Sequence, residues 1–248
     1  MEFGVQKSFL KNAFTLAEVI IVIGIIGIIA EMTLPTLISD IQHQELKSQF
    51  QKTYSKLSEA TRYVVANEYG GVAPIPNPLA AGSTFIEFTT SYQKYFIKSV
   101  KCDYTDNNCS TNVFPVSINY ADTSVGVSSF TQTNYKSFSG GATHTPLYDD
   151  AMVALADGAF LYFDWGNNLG NYLITADVNG WKKKPNRFGY DVFMFQIASN
   201  GVLLPMGAQG TIFASSAYCS KTSTDNRNGF GCASHALSDE DYFSKLGK

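Results

Sequence analysis

Between Val19 and Ala30 the chain carries no polar side chain, and from Phe14 to Ile38 it is mostly Ile, Val, Leu, Gly and Ala. That stretch matches the ~20 apolar residues a helix needs to cross a bilayer. Glu18 and Glu31 lie near its ends, where the roughly 2.5 to 3.5 kcal/mol cost of a charge at the bilayer centre falls. Beyond Pro35 the pattern becomes one-sided. Leu46, Phe50, Tyr54, Leu57, Thr61 and Val64 recur at spacings of three and four, with Glu45, Lys47, Lys52, Lys56, Glu59 and Arg62 between them. This predicts an amphipathic helix that continues the apolar one. Unbroken from Phe14 to Tyr69, it would measure about 84 Å at ~1.5 Å per residue. Pro35 would kink or loosen it by removing an amide and crowding the preceding turn. Gly70-Gly71 and the prolines at 74, 76 and 78 would end it.

After residue 71 the dominant pattern is that of strands and tight turns. Segments 151–156 and 159–164 flank Asp157-Gly158, and segments 191–199 and 202–205 flank Asn200-Gly201. Both dipeptides predict hairpins with two-residue type I′ turns, and Asn179-Gly180 closes a further strand over 171–178. Together these predict an antiparallel meander against which the helix lays its apolar stripe, an α+β fold. Residues 119–150, rich in Ser, Thr, Asn and Gly and poor in periodicity, read as a long loop with one short strand. The roughly 170 residues after Gly71 suffice for a single core.

Charge sets the orientation. Lys7 and Lys11, against Glu2, precede the apolar run and should stay cytoplasmic, leaving the C-terminal bulk exported. The net charge is −3, and the basic residues form no extended stripe. Lys182-Lys183-Lys184 reads as a solvated loop, so no nucleic-acid partner is predicted.

The order of basic leader, Ala13-Phe14-Thr15-Leu16-Ala17-Glu18, apolar helix and Pro35 resembles the N-terminus of type IV pilins and type II secretion pseudopilins. The family pattern is a small residue at the cut, usually Gly and here Ala13, then Phe-Thr-Leu-x-Glu. The resemblance covers residues 1 to about 65. It implies that residues 1–13 are a leader removed by a prepilin peptidase and that the new amine of Phe14 is N-methylated. It further implies that residues 14–70 form the membrane helix and stalk, and that 71–248 form an exported, β-rich domain. Glu18 would pair with the N-terminal amine of a neighbouring subunit, and Pro35 would belong to the assembling helix. The partners implied are other pilin-like subunits, the same chain or different ones, a filament assembly platform and inner-membrane lipid. The implied location is the inner membrane, single-pass, with the domain periplasmic or extracellular and on the cell surface after assembly.

Local chemistry offers two competing readings of this segment. Thr15-Leu16-Ala17-Glu18 fits the Thr-x-x-Glu capping box, in which the two side chains satisfy amides at a helix start. An ordinary signal peptide would use the same basic start and apolar core, with a cut near Ile28-Ile29-Ala30. The chain would then be a secreted or simply anchored domain with a binding or enzymatic activity of its own.

Cys102 and Cys109 enclose six residues, and Cys219 and Cys232 enclose twelve. Neither spacing is the close pairing of zinc ligands, and in an exported chain all four are expected in disulfides. Of three connectivities, the sequential one closes two local loops, each worth about 2.5 to 3 kcal/mol by chain entropy.

The segment from Asp177 to Asp191 resembles the Asp-rich C-terminal loop of secretion pseudopilins, some of which hold calcium there. The oxygens of Asp177, Asn179, Asn186 and Asp191 suit a hard cation. The competing reading is a structural turn in which these side chains cap backbone groups, and the three lysines inside the loop favour it. No catalytic constellation stands out: His43 lies on the stalk, and His144 and His235 lie in loop-like sequence. The expectation is a subunit that acts by assembly and not an enzyme.

Overall fold

The computed structural model describes residues 15–71, 83–103, 114, 133–148, 150–164 and 172–246. Residues 1–14, which hold the expected leader with Ala13 and the expected first residue Phe14, lie outside them, as does Cys109. The chain divides into two compact units, residues 1–42 and 43–248. A single helix, α1 (Leu16–Glu68), contributes to both, with Pro35 inside it.

In the first unit α1 is an isolated apolar rod. Ile20, Ile23, Ile26 and Ile29 are each more than half exposed, and the window of highest hydropathy buries nothing. This helix is long and apolar enough to cross a membrane. Pro35 has no N–H to offer the carbonyl of Glu31. Around it, the Thr33 hydroxyl donates to Ile29 O at 2.9 Å and the Thr36 hydroxyl to Thr33 O at 2.8 Å.

The second unit is built on a six-stranded antiparallel sheet whose spatial order follows the chain. Its strands are β1 (Val100–Asp103), β2 (Ala151–Ala154), β3 (Phe160–Asp164), β4 (Tyr172–Asp177), β5 (Val192–Ile197) and β6 (Leu203–Pro205). The register pairs Met152 with Tyr162, Tyr162 with Thr175, and Thr175 with Met194. Each pairing therefore keeps one side-chain parity on one face.

One face carries Val153, Leu161, Phe163, Ile174, Phe193 and Phe195, and it is covered by the lower half of α1 through Phe50, Leu57, Ala60 and Val64. A second helix, α2 (Ser83–Tyr95), lays Phe88 and Tyr92 on the same layer. The contacts are largely aromatic. Phe50 lies 4.2 Å from Phe193, and Phe88 stacks on Tyr172 at 4.3 Å between ring centroids. Neither α2 nor β1 was predicted. Thr-Thr-Ser and the aromatic residues of α2 are poor helix formers, and tertiary packing overrides them.

The opposite face is buried as well, so all residues of β2 to β5 are inside. This is uncommon for an antiparallel sheet, which often leaves one face to water. Met152, Tyr162, Leu173 and Met194 here meet Tyr135, Leu147, Tyr148, Phe188, Phe213 and Phe230, which come from loops and short 3-10 turns. The predicted loop at 119–150 is thus, in its described part, a packed layer. It contains a 3-10 turn (Thr145–Leu147) and a single bridge from Lys136 to Arg187 in place of the expected short strand.

Both hairpin turns are one residue longer than predicted. Gly158 N donates to Leu155 O and Leu155 N to Ala159 O, and the same pattern joins Gly201 to Ala198 and Ala198 to Val202. Among these turn residues, positive φ occurs at the glycines alone, +92° at Gly158 and +78° at Gly201. These are three-residue loops ending on a left-handed glycine, which do not need Asp157 or Asn200 at positive φ. Asp157 instead faces α1 and takes ion pairs from Lys52, at 3.1 Å, and Lys56.

Candidate functional site

Two places in the molecule carry the residues singled out by the sequence. The first is the start of α1. Thr15 N donates to Glu18 Oε2 at 2.8 Å, the Thr15 hydroxyl donates to the same oxygen at 2.8 Å, and Glu18 N donates to Thr15 Oγ1 at 3.2 Å. This is the reciprocal capping box. It satisfies orphan amides of the first turn and holds the carboxylate at the N-terminal end of the helix, where the dipole favours negative charge. Glu18 remains solvent-exposed.

The second place is the segment between β4 and β5. Asp177 ends β4 and is fully buried, Asp191 immediately precedes β5 and is also buried, and Asn186 is buried between them. Asp177 Oδ1 accepts from Gly180 N at 2.8 Å, and its Oδ2 accepts from the Tyr135 hydroxyl at 2.7 Å. Tyr135 in turn lies 2.7 Å from the Tyr162 hydroxyl. Asp191 Oδ2 accepts from Asn186 N at 2.8 Å and Oδ1 from Arg187 N at 2.7 Å. Each carboxylate oxygen therefore has a donor, and the two aspartates fold the segment by capping its backbone amides.

Gly180 is required at the first of these turns. Its φ is +83°, and a Cβ there would stand 2.3 Å from Gly158 O. Asn186 also has a positive φ, +50°, and its side chain donates to Trp181 O at 2.7 Å. Asparagine is one of the few residues with a side chain that tolerates this region.

Burial drives the electrostatics. Desolvation raises the pKa of Asp177 strongly, the nearby Asp191 raises it further, and the donors at Tyr135, Gly180 and Asn179 oppose the shift. Asp191 moves the same way, again chiefly through burial, against donors at Arg187, Asn186 and Asn179. The Tyr135 and Tyr162 hydroxyls are held well above the usual phenol range by burial and by the Asp177 charge. All four residues proposed from the sequence thus belong to one loop. The amide oxygens of Asn179 and Asn186 are buried with no hydrogen-bond partner. Tyr135 and Tyr162 were not anticipated: one lies in a stretch without periodicity, and the other reads as an ordinary strand aromatic.

The C-terminal segment is closed by a disulfide between Cys219 and Cys232. Cys102 is buried and also disulfide-bonded. Within the Cys219–Cys232 loop the buried Asn228 side chain accepts from Ser220 N at 3.0 Å and donates to Ser220 O and Ser223 O, each at 2.8 Å. Beyond it, Phe243 packs 5.7 Å from Phe50, and the Tyr242 hydroxyl donates to Gly189 O at 2.7 Å. The C-terminus is therefore tied to both α1 and the Asp177–Asp191 loop. Among the described residues no group of three or more His, Cys, Asp and Glu side chains could hold a metal ion. No family model, curated protein or solved structure matches the chain.

Proposed function

We propose that the chain is a pilin-like structural subunit, processed by a prepilin peptidase and assembled through its N-terminal helix into a type IV pilus or a type II secretion pseudopilus. The observation that carries this reading is the Ala13-Phe14-Thr15-Leu16-Ala17-Glu18 block at the start of a membrane-length helix. It is supported by the placement of Glu18, exposed at the end of that helix, and by the continuation of the same helix into an α+β unit. In this reading the apolar half of α1 leaves lipid for the packed core of a filament, and Glu18 meets the methylated amine of a neighbouring Phe14. Such a pair in a low-dielectric bundle fixes register, since a buried carboxylate without its partner is costly. The subunit works by assembly and turns over no substrate.

The test is fractionation of sheared filaments from cells carrying either the native chain or Glu18→Ala. The proposal expects both chains to be cleaved and anchored, with the variant depleted from filaments at least about tenfold, consistent with loss of a charge-assisted contact. Normal incorporation of Glu18→Ala would overturn the role of Glu18.

A second element of the proposal concerns the Asp177–Asp191 loop. The unpartnered amide oxygens of Asn179 and Asn186, beside two carboxylates, favour a calcium ion held by Asp177, Asn179, Asn186 and Asp191, with further oxygens from main chain or water. Calcium would supply charge and stiffness to the loop, not chemistry.

A further inference from the structure

We propose that Asn200 is a site of spontaneous covalent modification, at which the folded chain converts an asparagine into an aspartyl or isoaspartyl residue through a cyclic imide. The sequence holds three Asn-Gly dipeptides, at 179–180, 200–201 and 228–229. In such a dipeptide the amide nitrogen of the glycine can attack the asparagine Cγ, because glycine puts no Cβ in its path. The attacking nitrogen gives up its proton, the Cγ–Nδ2 bond breaks, and Nδ2 leaves as ammonia. Water then opens the imide at either carbonyl, so the reaction consumes one water and releases one ammonia. It needs no cofactor and no second protein.

The fold separates the three dipeptides. Asn228 is fully buried, its side chain is held by Ser220 N, Ser220 O and Ser223 O, and Gly229 N donates to Tyr218 O at 2.7 Å. Asn179 is half-buried, its side chain is bonded to the Asp191 carboxylate, and Gly180 N donates to Asp177 Oδ1 at 2.8 Å. Reaction at either one requires a packed loop to open. Asn200, in contrast, is exposed in the turn between β5 and β6. Val202 N donates to Asn200 Oδ1 at 3.1 Å, so an amide hydrogen already points at the oxygen that takes up negative charge when Cγ is attacked. Gly201 N donates to Ala198 O at 2.8 Å, and this bond lies in an exposed turn beside an edge strand, where local opening costs little. The matching turn at Asp157-Gly158 carries a carboxylate paired with Lys52 and Lys56 and has no ammonia to expel.

The product adds a negative charge to the turn, and its isoaspartyl form also lengthens the main chain by a carbon. The turn has no slack on that side. Gly201 has a φ of +78°, and a Cβ there would stand 2.5 Å from Val65 Cγ1 on α1. The modification therefore bears on the contact between this hairpin and the helix.

The test is incubation of the full chain in mildly alkaline buffer, either folded in detergent or unfolded in concentrated urea. Peptide mass spectrometry follows the exchange of amide for acid at each asparagine, with chromatography separating aspartyl from isoaspartyl peptides. Dividing each site's rate in the folded chain by its rate in urea removes the intrinsic chemistry of the dipeptide and leaves the effect of the fold. That ratio should be at least about tenfold higher at Asn200 than at Asn179 and Asn228, since an exposed turn opens more readily than a buried loop. An Asn200 that stays intact while the chain is folded would overturn the assignment, as would equal ratios at all three sites.

Discussion

The two halves of α1 differ less in helix-forming capacity than in what covers them. Between Phe50 and Val65 the buried residues Phe50, Thr53, Leu57, Ala60, Thr61, Val64 and Val65 recur at helical spacing; Phe50, Leu57, Ala60, Val64 and Val65 belong to the core cluster that includes the sheet, and Thr61 lies 2.5 Å from the Tyr92 hydroxyl of α2. Between Leu16 and Ile41 the side chains are more apolar, yet the large hydrophobics stand open. Burial within the chain therefore does not track hydrophobicity along this helix. The lower half is written as a stripe because it has one partner surface. The upper half is apolar all round, the pattern of a helix whose surroundings are themselves apolar on every side.

The sharpest way to break this contrast is Phe50→Ala. Phe50 is fully buried among Phe193, Phe195 and Phe243. Its truncation should destabilise the second unit by about 3 to 5 kcal/mol, measured by denaturant unfolding in detergent. Next in size is Cys232→Ser, which opens the Cys219–Cys232 loop and should cost about 2 to 4 kcal/mol, with release of the C-terminal segment read by limited proteolysis.

A pH-dependent effect belongs to the Asp177–Asp191 loop. Because the folded-state pKa of Asp177 is raised to about 8 from 3.8, the folded chain holds a proton that the unfolded chain releases. Its contribution is greatest below the unfolded value and is lost as pH rises from about 4 to about 8. In chelator, the native chain should therefore lose melting temperature relative to Asp177→Asn over that window. With calcium present the order should reverse toward pH 8, because the cation replaces the proton. The smallest effect should come from Ile25→Ala in the open half of α1, which should leave unfolding of the second unit unchanged within about 0.5 kcal/mol.

Sequence pattern reached the strands after residue 150 closely, because Asp157-Gly158 and Asn200-Gly201 mark the turns and the segments between them are short and apolar. It misjudged how the turns are built, since a glycine at positive φ serves a three-residue loop as well as a two-residue one. It missed α2, whose helical state comes from Phe88 and Tyr92 packing on the sheet and not from its own propensity. The second buried face was also hidden, because Tyr135, Tyr148, Phe188 and Phe230 come from loops and a short 3-10 turn whose apolar residues follow no period. At the candidate site the two aspartates and two asparagines were legible as a cluster in sequence. Their capping bonds, and the Tyr135–Tyr162 pair that reaches Asp177, depend on tertiary contact and leave no local signal.

The central claim is that the chain is a processed, assembling subunit. Intact mass and N-terminal sequencing of the chain recovered from membranes test it most directly. The account predicts a chain that begins at Phe14 and carries one added methyl group. A chain that still begins at Met1, or one cut at Ala30 to begin at Glu31, would contradict it.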